Sequence, residues 1–548
     1  MQTSETSSPD LEVQEPSWAD KREATALYPA GRAPMAKMAQ RGYVPYLIFA
    51  LCASLYFLPF MRILLGNGDE GLLVYGAVRI AHGQVFARDF FEVVGPGTFY
   101  WLALFFKLFG VTFVATRLCL FVTSLGTGLA MYFMSRRICR NYQILPCILL
   151  AGTYFGSSWP AISPHVDSNC FALLSVACMI VWQDKRGVSL LFAAGALAGA
   201  TTCFFQPKGM LLLFALLVWL WMQRRKQSAS LSCLWAVAGG YVSVVALMLL
   251  YFWSRHALGD LFYANVIWPS EHYSAVNVVS YAHGIIQYYW NHFVIDKPGF
   301  RWTIVTASVL IVPFFFVAAL PILLPVLSLR YRRNTMRPEV VLYWLCGFAL
   351  WLSEFHRKDI CHLVFGSPLL MILCIYYLEQ YRAKIADLAV QILAITATCL
   401  AGFNLFWVLS ARPVATRVGF VALLKSDPVV NVLQSKTARG EEIFAYPYCA
   451  MYYFLSATAD PARYAALLYN FNTPSQFDEV VTVLDQRRVR YVVWNKGFEN
   501  NAKTFFPGMK KVREDERIIE PYLESHYKVV WADTETQLMQ RKDEDHAN

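Results

Sequence analysis

Apolar positions in this chain come in long unbroken blocks separated by short polar breaks, the pattern of a protein that crosses a bilayer repeatedly. The first block runs over residues 44–65 and the second over about 114–134. Between them, residues 67–97 gather most of the early carboxylates, and the aromatic segment 98–109 is short enough to lie at the interface rather than cross. Basic clusters at Arg136, Arg137 and Arg140, at Lys185 and Arg186, at Arg224 to Lys226, at Arg330 to Arg333 and at Arg382 and Lys384 mark one side of the membrane. The breaks at 157–169, at Gln206-Pro207-Lys208-Gly209 and at 354–362 (EFHRKDICH) then face the other side, the last of them against the basic bias. Counting the blocks gives about eleven transmembrane helices. Lys21, Arg22, Arg32, Lys37 and Arg41 precede the first block and place the N-terminus in the cytoplasm, so odd parity puts everything after Arg412 outside.

The two ends differ in kind. Residues 1–43 are rich in Ser, Glu, Pro and Ala, too polar for a signal peptide, and read as a disordered cytoplasmic segment. The tail, residues 412–548, alternates short apolar strands (EEIFAYPY, VRYVVWN, YKVVWAD) with amphipathic helices (SQFDEVVTVLDQRR, and another over 514–525). The expected fold class is therefore a mainly α-helical multi-pass membrane protein, residues 44–411, carrying a small C-terminal extracytoplasmic α/β domain.

Composition narrows the function. At 57% hydrophobic and 16% charged, the chain is too apolar for an ordinary soluble enzyme. The net charge of +10 is spread through the clusters between apolar blocks, so it implies membrane lipid rather than nucleic acid as a partner. Thirteen cysteines, mostly inside apolar blocks and without CxxC pairing, argue against a metal ribbon or a disulfide framework. The chain carries no convincing phosphate-binding glycine loop of the GxxxxGK[ST] or strand-embedded GxGxxG kind, so no nucleotide cofactor is expected.

Chemistry concentrates in the first outer loop. Asp69 and Glu70 follow the first block in Gly66-Asn67-Gly68-Asp69-Glu70-Gly71, where glycines permit a tight turn and the close approach of a ligand. Arg88, Asp89 and Glu92 follow, ahead of Gly95-Pro96-Gly97. Acidic groups at the mouth of a span are costly unless they serve water, a metal or a partner. Each also has a structural reading: Asp69 and Glu70 as the first turn of a helix, Asp89 paired with Arg88, Asp167 as a cap, Lys208 snorkelling to headgroups, Arg357, Lys358 and Asp359 as a surface ion-pair cluster. His165, His272, His356 and His362 are metal-type side chains without ligand spacing.

The Asp-Glu pair after the first span, the second acidic pair before a proline-containing interfacial helix and the outer C-terminal domain resemble the GT-C glycosyltransferases, most closely the protein O-mannosyltransferase and aminoarabinose transferase types of families 39 and 83. The resemblance covers about 44–411 and is strongest over 67–110. It implies that Asp69 is the general base on an acceptor hydroxyl, with Glu70 its acidic neighbour. It implies that Glu92, in FFEVVGPG, is similar to the glutamate of the FEKPPL stretch that helps hold a divalent metal; Val93, Val94 and Gly95 depart from that pattern. Asp167 in HVDSNCFALL resembles another recurring aspartate, and Lys208 in QPKGMLLL resembles the lysine that contacts the carrier phosphate.

The implied activity is transfer of a sugar from a polyprenyl-phosphate carrier to a hydroxyl of a glycan, lipid or protein on the outer face of a bacterial inner membrane. Chemistry asks for the same parts, a carboxylate to take the acceptor proton and cations, from Lys208, Arg357, Lys358 or a metal, for the departing phosphate. A polymerase or ligase using a lipid-diphosphate donor has similar needs, and a transporter is also multi-pass, although it has no use for an outer α/β domain of this size.

Overall fold

The computed structural model describes residues 42–64, 68–156, 161–273, 277–287, 300–330, 337–381, 384–423, 427–498, 502, 506 and 508–542. The segment expected to be disordered at the N-terminus lies outside them, except for its last two residues. Two compact units are distinguished, residues 1–51 and 52–548. The described part of the first is the beginning of helix Val44–Phe57.

Among the described residues, six helical segments are long and apolar enough to cross a membrane: Val44–Arg62, Phe113–Ile138, Pro164–Lys185, Leu231–Ser254, Val312–Leu329 and Lys384–Leu409. Ile360–Gly366 and Pro368–Gln380, bent by 72° at Ser367, would together make a seventh. Gly97–Phe109, Val188–Phe204 and Pro338–Ser353 are apolar but shorter; the first falls on the segment read as interfacial, and the other two fall on apolar blocks read as crossings. The first block ends sooner than its composition suggests. Its α-helix gives way at Leu58-Pro59 to a tighter turn, because Pro59 has no backbone N–H to continue the ladder, and then to a strand.

Local chemistry explains several helix starts. Ser163 caps helix Pro164–Lys185, its Oγ accepting from the His165 N–H at 3.3 Å, so the cap is Ser163 and not Asp167. Thr112 does the same for Phe113–Ile138 through the Ala115 N–H at 3.2 Å. Small residues let helices Val188–Phe204 and Leu231–Ser254 touch backbone to backbone: a Cβ on Gly195 would strike Val237, and one on Gly240 would strike Phe192.

Two sheets sit at the end of the bundle that carries the acidic loop. In the first, β1 (Ile63–Leu64) runs parallel to β3 (Gly419–Leu423), which pairs antiparallel with β2 (Arg412–Thr416). The strand that leaves the first span is thus built into the same sheet as the start of the C-terminal segment. The second sheet has the order β4-β5-β7-β6, from Ile443–Tyr446, Tyr491–Asn495, Thr536–Arg541 and Tyr527–Ala532, with β4 and β5 parallel and the rest antiparallel. Helix Pro474–Gln486 crosses between β4 and β5, as a parallel pair requires. The sequence pattern anticipated β4, β5, β6 and this helix. It missed β7, whose segment TQLMQR looks polar although Thr536, Leu538, Met539 and Arg541 are buried.

Candidate functional site

Helix Asp69–Ala81 begins at Gly68 and carries two adjacent carboxylates in its first turn, which the helix turns in different directions. Asp69 is exposed, and the Tyr448 hydroxyl of the C-terminal segment donates to its Oδ1. Glu70 is buried against Arg117, itself fully buried on helix Phe113–Ile138. Arg117 grips it with both guanidinium nitrogens, Nη2 to Oε2 at 3.1 Å, and the Ile162 N–H donates to Oε1 at 3.0 Å. Both Glu70 oxygens are occupied inside the protein, which leaves Asp69 as the reachable carboxylate of the pair.

The glycines around this pair serve packing rather than a ligand. A Cβ on Gly68 would strike the Tyr448 ring, and one on Gly71 would meet the Met451 backbone nitrogen 2.5 Å away. Farther along the same helix, the Arg79 Nη1 donates to the Ala462 carbonyl at 2.9 Å and lies 3.9 Å from Asp460, while the Asp460 N–H donates to the Tyr75 hydroxyl at 2.6 Å. The C-terminal segment thereby fixes the first loop from above.

Glu92 lies near Asp69, and burial, with that neighbouring carboxylate adding to it, pushes its carboxyl up to about 8. Tyr448 is held well above the usual phenol range by burial and by Asp69 and Glu92. Facing them is Arg357, whose Nη1 donates to Asn277 Oδ1 at 3.0 Å and whose Nε donates to Asp359 Oδ2 at 2.9 Å. Asp359 joins Arg357 to the next element: its other oxygen accepts from the His362 N–H at 3.1 Å and lies 2.7 Å from His362 Nδ1, capping helix Ile360–Gly366. His362 and Arg357 outweigh burial and hold Asp359 well below the usual carboxylate range.

Behind this layer is a second one, in which Lys208 and Glu354 are fully buried. Lys208 Nζ sits 2.7 Å from Glu354 Oε1 and donates to Asn169 Oδ1 at 2.9 Å, and His165 Nδ1 lies 3.0 Å from the same carboxylate. Burial pushes Glu354 up, but His165 and Lys208 outweigh it and hold the group well below its ordinary range. His356, beside His362, is pushed down to about 4 by burial and its imidazole neighbours. Asp69, Glu92, Tyr448, Arg357, Asp359, His362, His165, Glu354 and Lys208 therefore form one connected array from the mouth inward.

Other sequence candidates stand elsewhere. Arg88 and Asp89 pair with each other at 2.8 Å, Asp89 Oδ2 accepting the Val85 N–H at 2.6 Å and Arg88 Nη1 reaching the Arg255 carbonyl, so they lock the loop. Asp167 is buried among the helices and accepts from Thr98 Oγ1 at 2.9 Å. His272 stacks on Trp268, with ring centroids 5.1 Å apart. The Lys358 ammonium lies over the Phe355 ring at 4.3 Å. Lys208 is fully buried, so it does not snorkel, and Arg357 pairs with Asp359 at 2.9 Å with both side chains mostly buried rather than as a surface cluster. Among the described residues, His165, Glu354 and His362 are the set of three metal-type donors that converges; Glu92 and His272 join no such set.

Over this geometry the chain superposes on the crystal structure of ArnT from Cupriavidus metallidurans bound to undecaprenyl phosphate, with a TM-score of 0.56 at 12% identity, covering 91% of this chain and 98% of that one. The fold is GT-C. ArnT from the same organism in the apo state (TM-score 0.41, 11% identity, 90% of this chain and 98% of that one) is also similar. So is the arabinosyltransferase EmbB from Mycobacterium smegmatis (0.34, 12%, 66% and 40%). No protein-family model and no curated protein matches the chain. Three residues that sequence reasoning passed over are central to this array: Glu354, Tyr448 and Arg117. Arg117 was legible as a charge inside an apolar block, and Glu354 as the acidic start of EFHRKDICH. Nothing local in the sequence pairs Tyr448 with Asp69, 379 positions away.

Proposed function

We propose that this chain transfers a sugar from a polyprenyl-phosphate carrier to an acceptor hydroxyl at the outer face of a bacterial inner membrane, with its N-terminus in the cytoplasm and its C-terminal domain outside. The observation that carries the reading is the exposed Asp69 carboxylate within electrostatic reach of Arg357, beside Glu92 and Tyr448. A neighbour of the same fold was crystallised with undecaprenyl phosphate, which supports the carrier class.

Asp69 takes the proton of the acceptor hydroxyl as the acceptor oxygen forms a bond to the anomeric carbon. The bond from that carbon to the phosphate oxygen breaks on the opposite side, the electron pair leaves with the phosphate, and the configuration inverts. Arg357, aligned by Asp359 and Asn277, meets the charge that grows on the leaving phosphate. Tyr448 orients Asp69, and Glu92, protonated at neutral pH, adds no second negative charge beside the base. Lys208, already neutralised by Glu354, supports the floor of the site. The sugar is a hexose or pentose, and the acceptor is a glycan, lipid or protein hydroxyl. Asp69→Asn, expressed at native levels, is the test: loss of transfer from a monophosphate-linked donor supports the reading, and full activity refutes it.

A further inference from the structure

We propose that His165, Glu354 and His362 bind one first-row divalent metal ion, such as zinc. Their donor atoms lie within 4.8 Å of one another. Bonds of about 2.0–2.1 Å on a tetrahedron bring ligand atoms to roughly 3.4 Å, a small contraction. Two imidazoles and one carboxylate suit zinc or cobalt(II), whereas magnesium and calcium prefer sites made of oxygen alone.

The surroundings are those of a ligand set rather than of a simple hydrogen-bonded cluster. His362 gives Nδ1 to Asp359 Oδ1 at 2.7 Å, which leaves Nε2 as the donor and fixes the ring. A carboxylate behind a ligating histidine raises its basicity and sets its orientation. Glu354 is fully buried; its Oε1 is held by Lys208 at 2.7 Å and by His165 Nδ1 at 3.0 Å, while its Oε2 has no hydrogen-bond partner although the same His165 Nδ1 is 3.0 Å away. That buried, unsatisfied oxygen is aimed at the imidazoles, where a cation would satisfy it. The His165 ring is itself clamped, stacked on Phe365 at 5.1 Å and against Phe205 at 4.7 Å. Three protein ligands leave a coordination position open.

The proposal concerns the metal alone and stands whether or not the chain transfers sugar. The test is the full chain in detergent, stripped with a chelator, dialysed, and titrated with zinc and separately with cobalt(II), with metal content and visible absorption as readouts. About one zinc per chain and cobalt bands of a tetrahedral centre are expected, with no uptake of magnesium or calcium. His362→Ala strands no buried lysine and should lower zinc affinity at least about tenfold while eluting as native protein; Asp359→Asn, which touches the ligand and not the ion, should lower it about 10–100-fold. Glu354→Gln should remove the cobalt bands. Uptake below about a tenth of a metal per chain, or His362→Ala and Glu354→Gln binding zinc as tightly as the native chain, overturns the proposal.

Discussion

Asp69 and Glu70 are adjacent in sequence and opposite in role, and replacing Glu70 separates the two. In Glu70→Gln the Arg117 guanidinium, whose side chain is 1% exposed, loses its counter-charge inside the helix bundle. Removing one partner of such a buried pair costs about 3–5 kcal/mol, because the remaining charge is left without solvent or partner. The Gln carbonyl can still accept the Ile162 N–H, so that bond adds little to the loss. Arg117→Met should cost a similar amount from the other side. The double variant should recover most of it, since a buried ion pair replaced by uncharged groups of like volume is about neutral. Reversible unfolding in mixed micelles, followed by circular dichroism as denaturing detergent is titrated, measures all four corners of the cycle. Specific transfer per folded molecule should stay within about threefold of native in Glu70→Gln. Native stability within about 0.5 kcal/mol, combined with abolished transfer, would refute this reasoning and return Glu70 to the chemistry.

Three further outcomes follow from the same array. Glu92 holds its proton up to about pH 8 in the folded chain against an ordinary 4.5, so the folded state binds the extra proton between those values and stability falls as pH rises through that window; Glu92→Gln should flatten that slope in thermal unfolding scans and remove any alkaline limb of activity near pH 8. Lys208→Met strands Glu354 in the enclosed layer and should destabilise by about 3 kcal/mol or more, with Lys208→Met combined with Glu354→Leu recovering much of it, as read by the same detergent titration. Gly71→Val drives a side chain into the Met451 backbone and should cost about 1–3 kcal/mol by forcing the C-terminal segment off the first loop, visible as earlier proteolysis near Met451.

What the sequence disclosed, and what it hid, divides by the range of the physics involved. Spans and most of the C-terminal four-stranded sheet follow from local patterning, which is why helices Phe113–Ile138 and Lys384–Leu409 and strands β4, β5 and β6 fall where the pattern puts them. Strand β7 escaped because its outward positions are polar and its buried ones include Thr536 and Arg541. Candidate residues were legible as types: a lysine at depth beside Gln206-Pro207 demanded an anion, and it has one. That the anion is the protein's own Glu354, 146 positions on, is a tertiary fact that no local pattern carries. In the same way, the glycines flanking Asp69 suggested room for a ligand, whereas the space is taken by Tyr448 and Met451. The helix turns one of two neighbouring carboxylates outward and the other toward Arg117, and only the packed bundle decides which.

The most direct test of the central claim is transfer from radiolabelled polyprenyl-monophosphate sugars in membranes carrying the native chain or Asp69→Asn at equal protein levels. Removal of a positioned general base should lower transfer by about 10²–10⁴-fold while the variant keeps its fold. Full activity in Asp69→Asn, or transfer by the native chain only from diphosphate-linked donors, would contradict the account.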